Sequence, residues 1–88
     1  MNLNNILQHL CDLISVNTKI PPDQIDIDCP FLELGVDSII LIRVVREIEK
    51  TYKIKIPIRK LFEELNNVHD LAKYIVANLS PELSNNQQ

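Results

Sequence analysis

Apolar residues recur along this chain at helical spacing, in four separate blocks. Leu3, Leu7, Leu10, Cys11 and Ile14 share one face, widened by Ile6 and Leu13. They predict an amphipathic helix over about residues 3–17. Pro21 and Pro22 forbid its continuation. Leu41, Val44, Val45, Ile48 and Tyr52 predict a second helix over about 38–52, with those five residues as its core face. Ile39, Ile42, Arg43, Arg46 and Lys50 fall on the opposite side. Ile58, Leu61, Phe62 and Leu65 predict a short third helix over about 58–65, ended by Asn66 in a left-handed conformation. Asn67 is placed to cap a fourth helix, with Asp70 near its positive end. That helix buries Val68, Leu71, Ala72, Ile75 and Leu79 and is stopped by Ser80-Pro81.

The intervening segments are of two kinds. Residues 19–37 are polar and acidic, yet they carry Ile20, Ile25, Ile27, Phe31, Leu32 and Leu34. So many apolar side chains predict an ordered loop, pinned to the core by Ile25, Phe31 and Leu34. Gly35, the only glycine, supplies a turn conformation near its end. Residues 53–57, KIKIP, have no partner strand and read as an extended connection. The fold class is therefore all-α: a small four-helix bundle of three longer helices and one short third helix, with a long ordered loop between the first two. One domain spans residues 1–79, and the polar tail 80–88 is expected to be disordered.

Composition narrows the function classes. Eighty-eight residues suffice for one hydrophobic core. A net charge of −3 gives no sign of nucleic-acid binding. The charge is nevertheless uneven: residues 1–37 carry one base and six acids, and residues 38–79 carry eight bases and five acids. That division suits either an ordinary solvated surface or the charge pattern of a docking face. No apolar run is long enough to span a bilayer, and no signal peptide is evident. Cys11 and Cys29 have no metal-ligand or CxxC spacing. Cys11 lies on an apolar stripe, Cys29 lies in the loop, and two unpatterned thiols suit the cytoplasm.

The chemistry concentrates where the second helix begins. Ser38 stands at a helix N-terminus, where exposed N–H groups and the macrodipole favour an anion such as a phosphate. Asp37 beside it can cap the helix or help hold a divalent metal. A purely structural cap is the competing explanation for the pair. No histidine is paired with Ser38 in the sequence: His9 and His69 fall on other helices and read as plain surface residues, and no G-x-S-x-G elbow is present. An enzymatic nucleophile is therefore not expected.

The stretch FLELGVDSI, the aliphatic helix after it, and the later IKIPIRKLFEELNNVHDLAKYI together resemble the phosphopantetheine-dependent carrier proteins. These are the acyl and peptidyl carriers of fatty-acid, polyketide and nonribosomal-peptide synthesis. The resemblance covers roughly residues 3–79. It implies that Ser38 is the attachment point for 4′-phosphopantetheine, delivered from coenzyme A by a phosphopantetheinyl transferase using magnesium, with Asp37 in support. It implies a non-catalytic, monomeric tether whose cargo is a thioester, passed among acyl- or aminoacyl-loading, condensing and modifying enzymes. The helix after Ser38 is the family's main recognition surface, so Ile39, Ile42, Arg43 and Arg46 are the candidate partner contacts. Arg46 and Lys50 can alternatively form exposed pairs with Glu49 and Glu47. Fatty-acid carriers are usually strongly acidic on this helix, and this chain is not. With its RKLFEELNNVHDLAKYI ending, it looks closest to peptidyl or hybrid polyketide/nonribosomal-peptide carriers. The alternatives are a fatty-acid carrier and an unmodified helical interaction domain.

Overall fold

The computed structural model describes residues 2–79. Four helices follow one another: α1 Leu3–Thr18, α2 Ser38–Tyr52, α3 Ile58–Glu63 and α4 Val68–Asn78. No strand is present among the described residues. The predicted all-α bundle, with three longer helices and a short third one, is the architecture observed. The proposed tail, with the Ser80-Pro81 stop, lies outside the described residues.

Each long helix begins on a side-chain cap. Asn2 Oδ1 accepts the Asn5 N–H at 2.9 Å. Asp37 Oδ1 accepts the Ile40 N–H at 2.8 Å, and Asn67 Oδ1 accepts the Asp70 N–H at 2.7 Å. These bonds satisfy amides that the first helical turn leaves unpaired. α1 and α2 end on Lys19 and Lys53, both left-handed, with φ of 69° and 57°. Asn66, expected to take that role after the third helix, has no positive φ. α3 instead stops two residues earlier than its apolar spacing predicts. Leu65 N–H reaches back to the Lys60 carbonyl at 3.2 Å, five residues away. This wider turn unwinds the helix and lets Leu65 drop into the core at 6% exposure.

The core is almost wholly aliphatic. Ile6, Leu10 and Ile14 of α1, Ile48 of α2, Leu61 of α3 and Leu71 and Ile75 of α4 are fully or almost fully buried. α1 packs most closely on α4, and also on the Pro22–Gln24 turn and on α2. Leu3, Leu7 and Leu13 sit at the edge of this core, so the centre of the α1 face is rotated toward Ile6. Among the described residues no polar or charged residue is buried, and no buried side-chain polar atom lacks a partner.

The long loop is ordered, as expected, though its anchors differ. Ile25 and Phe31 are buried, but the third anchor is Val36 at 1% exposure, while Leu34 is half-buried. Backbone bonds clamp the loop to the α3–α4 turn: Phe31 N–H to the Asn66 carbonyl at 2.9 Å and His69 N–H to the Ile27 carbonyl at 3.0 Å. Short 3₁₀ turns at Pro22–Gln24 and Phe31–Leu34 take up the slack. Gly35 follows the second at φ 79°, and no atom lies within 4 Å of where its Cβ would be. Its requirement is therefore one of backbone conformation, not of space.

Segment 53–57 alternates as the sequence suggests. Ile54 and Ile56 turn inward, Lys53 and Lys55 outward. Ile56 N–H is held by Glu49 Oε2 at 2.8 Å, which takes Glu49 away from the exposed ion pair considered for it. Neither histidine is a plain surface residue. His9 Nδ1 meets the Tyr52 hydroxyl at 2.8 Å, linking α1 to the end of α2. His69 Nδ1 lies 3.1 Å from Asp28 Oδ1, reinforcing the loop clamp.

Candidate functional site

Two buried residues bracket the start of α2. Val36 precedes it and Leu41 lies one turn in, exposed by 1% and 4%. Between them Asp37, Ser38 and Ile39 stand in solvent. The left-handed Gly35 turns the chain out of the 3₁₀ segment, and the Asp37 cap fixes the first turn, so the Ser38 hydroxyl projects from a rigid position. Asp37 satisfies two amides, Ile40 through its carboxylate and Leu41 through its carbonyl at 2.9 Å. The Ser38 and Ile39 N–H groups have no acceptor among the described residues.

An apolar cleft of about 400 Å³ opens beside this turn. Phe31, Val36, Leu41, Leu61 and Leu65 form its wall, and Leu32, Phe62 and Asn66 stand at its rim together with Asp37 and Ser38. Leu32 is 81% exposed, Ile39 68% and Phe62 45%. Leu32 and Phe62 at the cleft, with Ile39 next to Ser38 on α2, mark a contact surface rather than a failure of folding. Helical periodicity does not reveal this cleft. It places Ile58 and Phe62 on the core stripe of the third helix, yet both are about half exposed. In so short a helix, only Leu61 and the unwound Leu65 reach the interior. The FLELG spacing holds a signal, since Phe31 and Leu32 of one turn cannot both face inward.

The outer face of α2 carries Ile39, Arg43 and Arg46 in solvent. Ile42 is half-buried, against the expectation of full exposure, and lines a small hollow with Ile56 of the connection and Ile58 of α3. No cluster of three or more metal-ligating side chains occurs among the described residues. The Cys29 thiol is pushed up from its ordinary pKa by desolvation and by the nearby Glu33 and Asp26 carboxylates. That shift disfavours the thiolate and argues against a reactive nucleophile there. His9 and His69 are hydrogen-bonded to Tyr52 and Asp28, not to Ser38.

The site is thus an exposed serine at a capped helix start, beside an apolar cleft. The family described as "Phosphopantetheine attachment site" matches residues 8–75. The chain belongs to this family. Its domains carry covalently attached 4′-phosphopantetheine and are generally non-catalytic. The residues of this carrier domain fit such a group: an exposed hydroxyl, two unpaired amides at a positive helix end, and an adjoining cleft.

The carrier domain is similar to parts of several longer proteins. It is 34% identical over 71 residues to methylphloroacetophenone synthase of Cladonia uncialis, covering 81% of this chain and 3% of the synthase. It is 31% identical over 74 residues to a phenolphthiocerol/phthiocerol polyketide synthase polypeptide of Mycobacterium tuberculosis, covering 84% of this chain and 4% of that polypeptide. The chain thus spans only a small part of each synthase. It is 46% identical over 43 residues to an acyl carrier protein of Brachyspira hyodysenteriae, covering 49% of this chain and 54% of that protein. No described helix is long and apolar enough to cross a membrane.

Proposed function

We propose that Ser38 is the residue phosphopantetheinylated in this carrier domain, and that the domain tethers acyl, aminoacyl or peptidyl intermediates during polyketide or hybrid polyketide/nonribosomal-peptide synthesis. The observation that carries the assignment is the exposed Ser38 hydroxyl at a rigid helix start beside the cleft. In loading, the Ser38 oxygen forms a new bond to the phosphorus of the pantetheine arm while the anhydride bond of coenzyme A breaks. The serine proton passes to a base on the transferase, and 3′,5′-ADP departs. The attached arm supplies a terminal thiol that holds cargo as a thioester. Tethering raises the effective concentration of that cargo at each partner's active site.

The chain's own residues position and present. The cap at Asp37 fixes the helix start, and a carboxylate there suits a divalent cation accompanying the phosphoryl group. Ile39, Arg43 and Arg46, with the half-buried Ile42, offer the face that transferase and assembly-line enzymes contact. The synthases matched over most of this chain favour polyketide chemistry over fatty-acid synthesis. The domain acts as a monomer in the cytoplasm, where its free thiols Cys11 and Cys29 stay reduced.

The test uses the chain with coenzyme A, magnesium and a broad-specificity phosphopantetheinyl transferase, read by intact mass. Gain of one phosphopantetheine by the wild type and none by Ser38→Ala is expected. No gain in the wild type would leave an unmodified helical interaction domain.

A further inference from the structure

The outer stripe of α2 is polarised along its length. Ile39, Ile42, Arg43, Arg46 and Lys50 fall within about 100° of arc, and Lys53, just past the helix end, continues the line. The stripe begins apolar beside Ser38 and becomes cationic toward the far end, with Ile39 and Lys50 about 16 Å apart. Arg46, Lys50, Lys53 and Lys55 line one open surface depression together with Glu49 and Ile54. None of these four cations, nor Arg43, is in an ion pair among the described residues. Glu49 is engaged by the Ile56 N–H, and Glu47 lies on the flank of the stripe.

Helix chemistry explains only part of this. Cations near a helix C-terminus complement the macrodipole, which accounts for Lys50 and Lys53. It does not account for Arg43 and Arg46 in the middle of the helix, nor for Lys55 in the extended segment beyond it. Lys53 also holds φ 57°, a conformation that glycine adopts at lower cost. A smaller hollow over Ile42, Ile56 and Ile58 adjoins the depression and shares Arg46 and Glu49 with it. An apolar centre with a charged margin is the anatomy of a protein-docking surface.

We infer that this face, extended from the reading above to Lys50, Lys53 and Lys55, docks a partner protein that is apolar opposite Ile39 and Ile42 and acidic opposite the cationic end of α2. The inference rests on that reading for the choice of face but not on modification of Ser38. The acidic end of the partner fixes register: it engages the cations and thereby sets Ser38 at one defined place on the partner. Charge of this kind acts mainly through association rate and orientation. Residues 1–37 carry six acids against a single base, so a second copy is the nearest competing occupant.

The experiment titrates the ¹⁵N-labelled full chain with three probes: an amphipathic leucine-striped helical peptide with glutamate flanks, the same peptide with lysine flanks, and phosphatidylglycerol/phosphatidylcholine vesicles. The glutamate peptide is expected to shift amides along the 39–55 stripe, with binding weakened about tenfold between about 50 mM and 300 mM salt. Lys50→Glu/Lys53→Glu/Lys55→Glu is expected to reduce that binding at least about tenfold. The neutral Lys50→Gln/Lys53→Asn/Lys55→Gln variant gives a smaller loss and serves if charge reversal disturbs folding. Equal binding of both peptides, or shifts confined elsewhere, overturns the inference. Binding to vesicles with an inert peptide overturns it in favour of a lipid surface, and concentration-dependent shifts without any probe overturn it in favour of a second copy. The apo chain carries the same face, so failure to load Ser38 in the mass assay is read separately.

Discussion

Single positions on α2 separate folding from delivery. Val45 is 3% exposed and Ile39 is 68% exposed, six residues apart on different faces of one helix. Val45→Asp buries an unpaired carboxylate and is expected to cost about 3 kcal/mol or more. Ile39→Asp is expected to change stability by no more than about 0.5 kcal/mol while slowing loading of Ser38 by the transferase. Chemical denaturation checks the first and the transferase kcat/KM checks the second. Ile42 is the poorer probe, although the helical wheel sets it beside Ile39. It is half-buried and lines a hollow together with Ile56 and Ile58, so a charge there disturbs the junction with α3 as well as the outer face. Periodicity assigns an angle on a helix; it does not say which neighbour fills the space at that angle.

At the scale of elements, the α2 cap has a structural role that can be separated from its chemistry. Asp37→Ala removes the acceptor for the Ile40 N–H and is expected to destabilise the domain by about 1 kcal/mol. Asp37→Asn restores the acceptor, so the melting temperature should return to that of the wild type. Loading of Ser38 is expected to stay slower in the Asn variant, because an amide brings no charge to a divalent cation. Equal loading by the Asn variant would reduce Asp37 to a cap. The caps themselves are legible in the sequence: Asn67 stands just before an apolar stripe, and it accepts the Asp70 N–H. The end of α3 is not legible. Spacing of Leu61 and Leu65 fits a continuous helix, and only the demand that Leu65 enter the core and Asn66 receive the Phe31 N–H breaks it.

For the whole molecule, burial sets an alkaline limit. Tyr52 is pushed up from its ordinary value of 10.0 by burial. Cys11 is pushed up from 9.0 by burial and then by Asp12. Both acids lose their protons more readily in the unfolded chain, so above those ordinary values the unfolded state binds fewer protons. Stability from these groups is therefore complete below about pH 9 and declines as pH rises further. Melting temperatures recorded from about pH 8 to pH 11 should fall along the alkaline limb, and a Cys11→Ala/Tyr52→Phe variant should fall less steeply. A parallel decline in both proteins would assign the limb to other groups.

Local pattern is enough to place the helices, their caps at Asp37 and Asn67, the ordered first loop and Ser38 at the start of α2. All of these follow from spacing and from residues that act within a few positions of themselves. Which apolar residues remain outside is settled by packing between distant segments. Leu32 and Phe62 come together at the cleft beside Ser38 because the Phe31–Asn66 bond draws the long loop against the α3–α4 turn. The same holds for His9 with Tyr52, 43 positions apart in the chain. Such contacts depend on how the helices lie against one another, and the order of residues within any one helix carries no record of that arrangement.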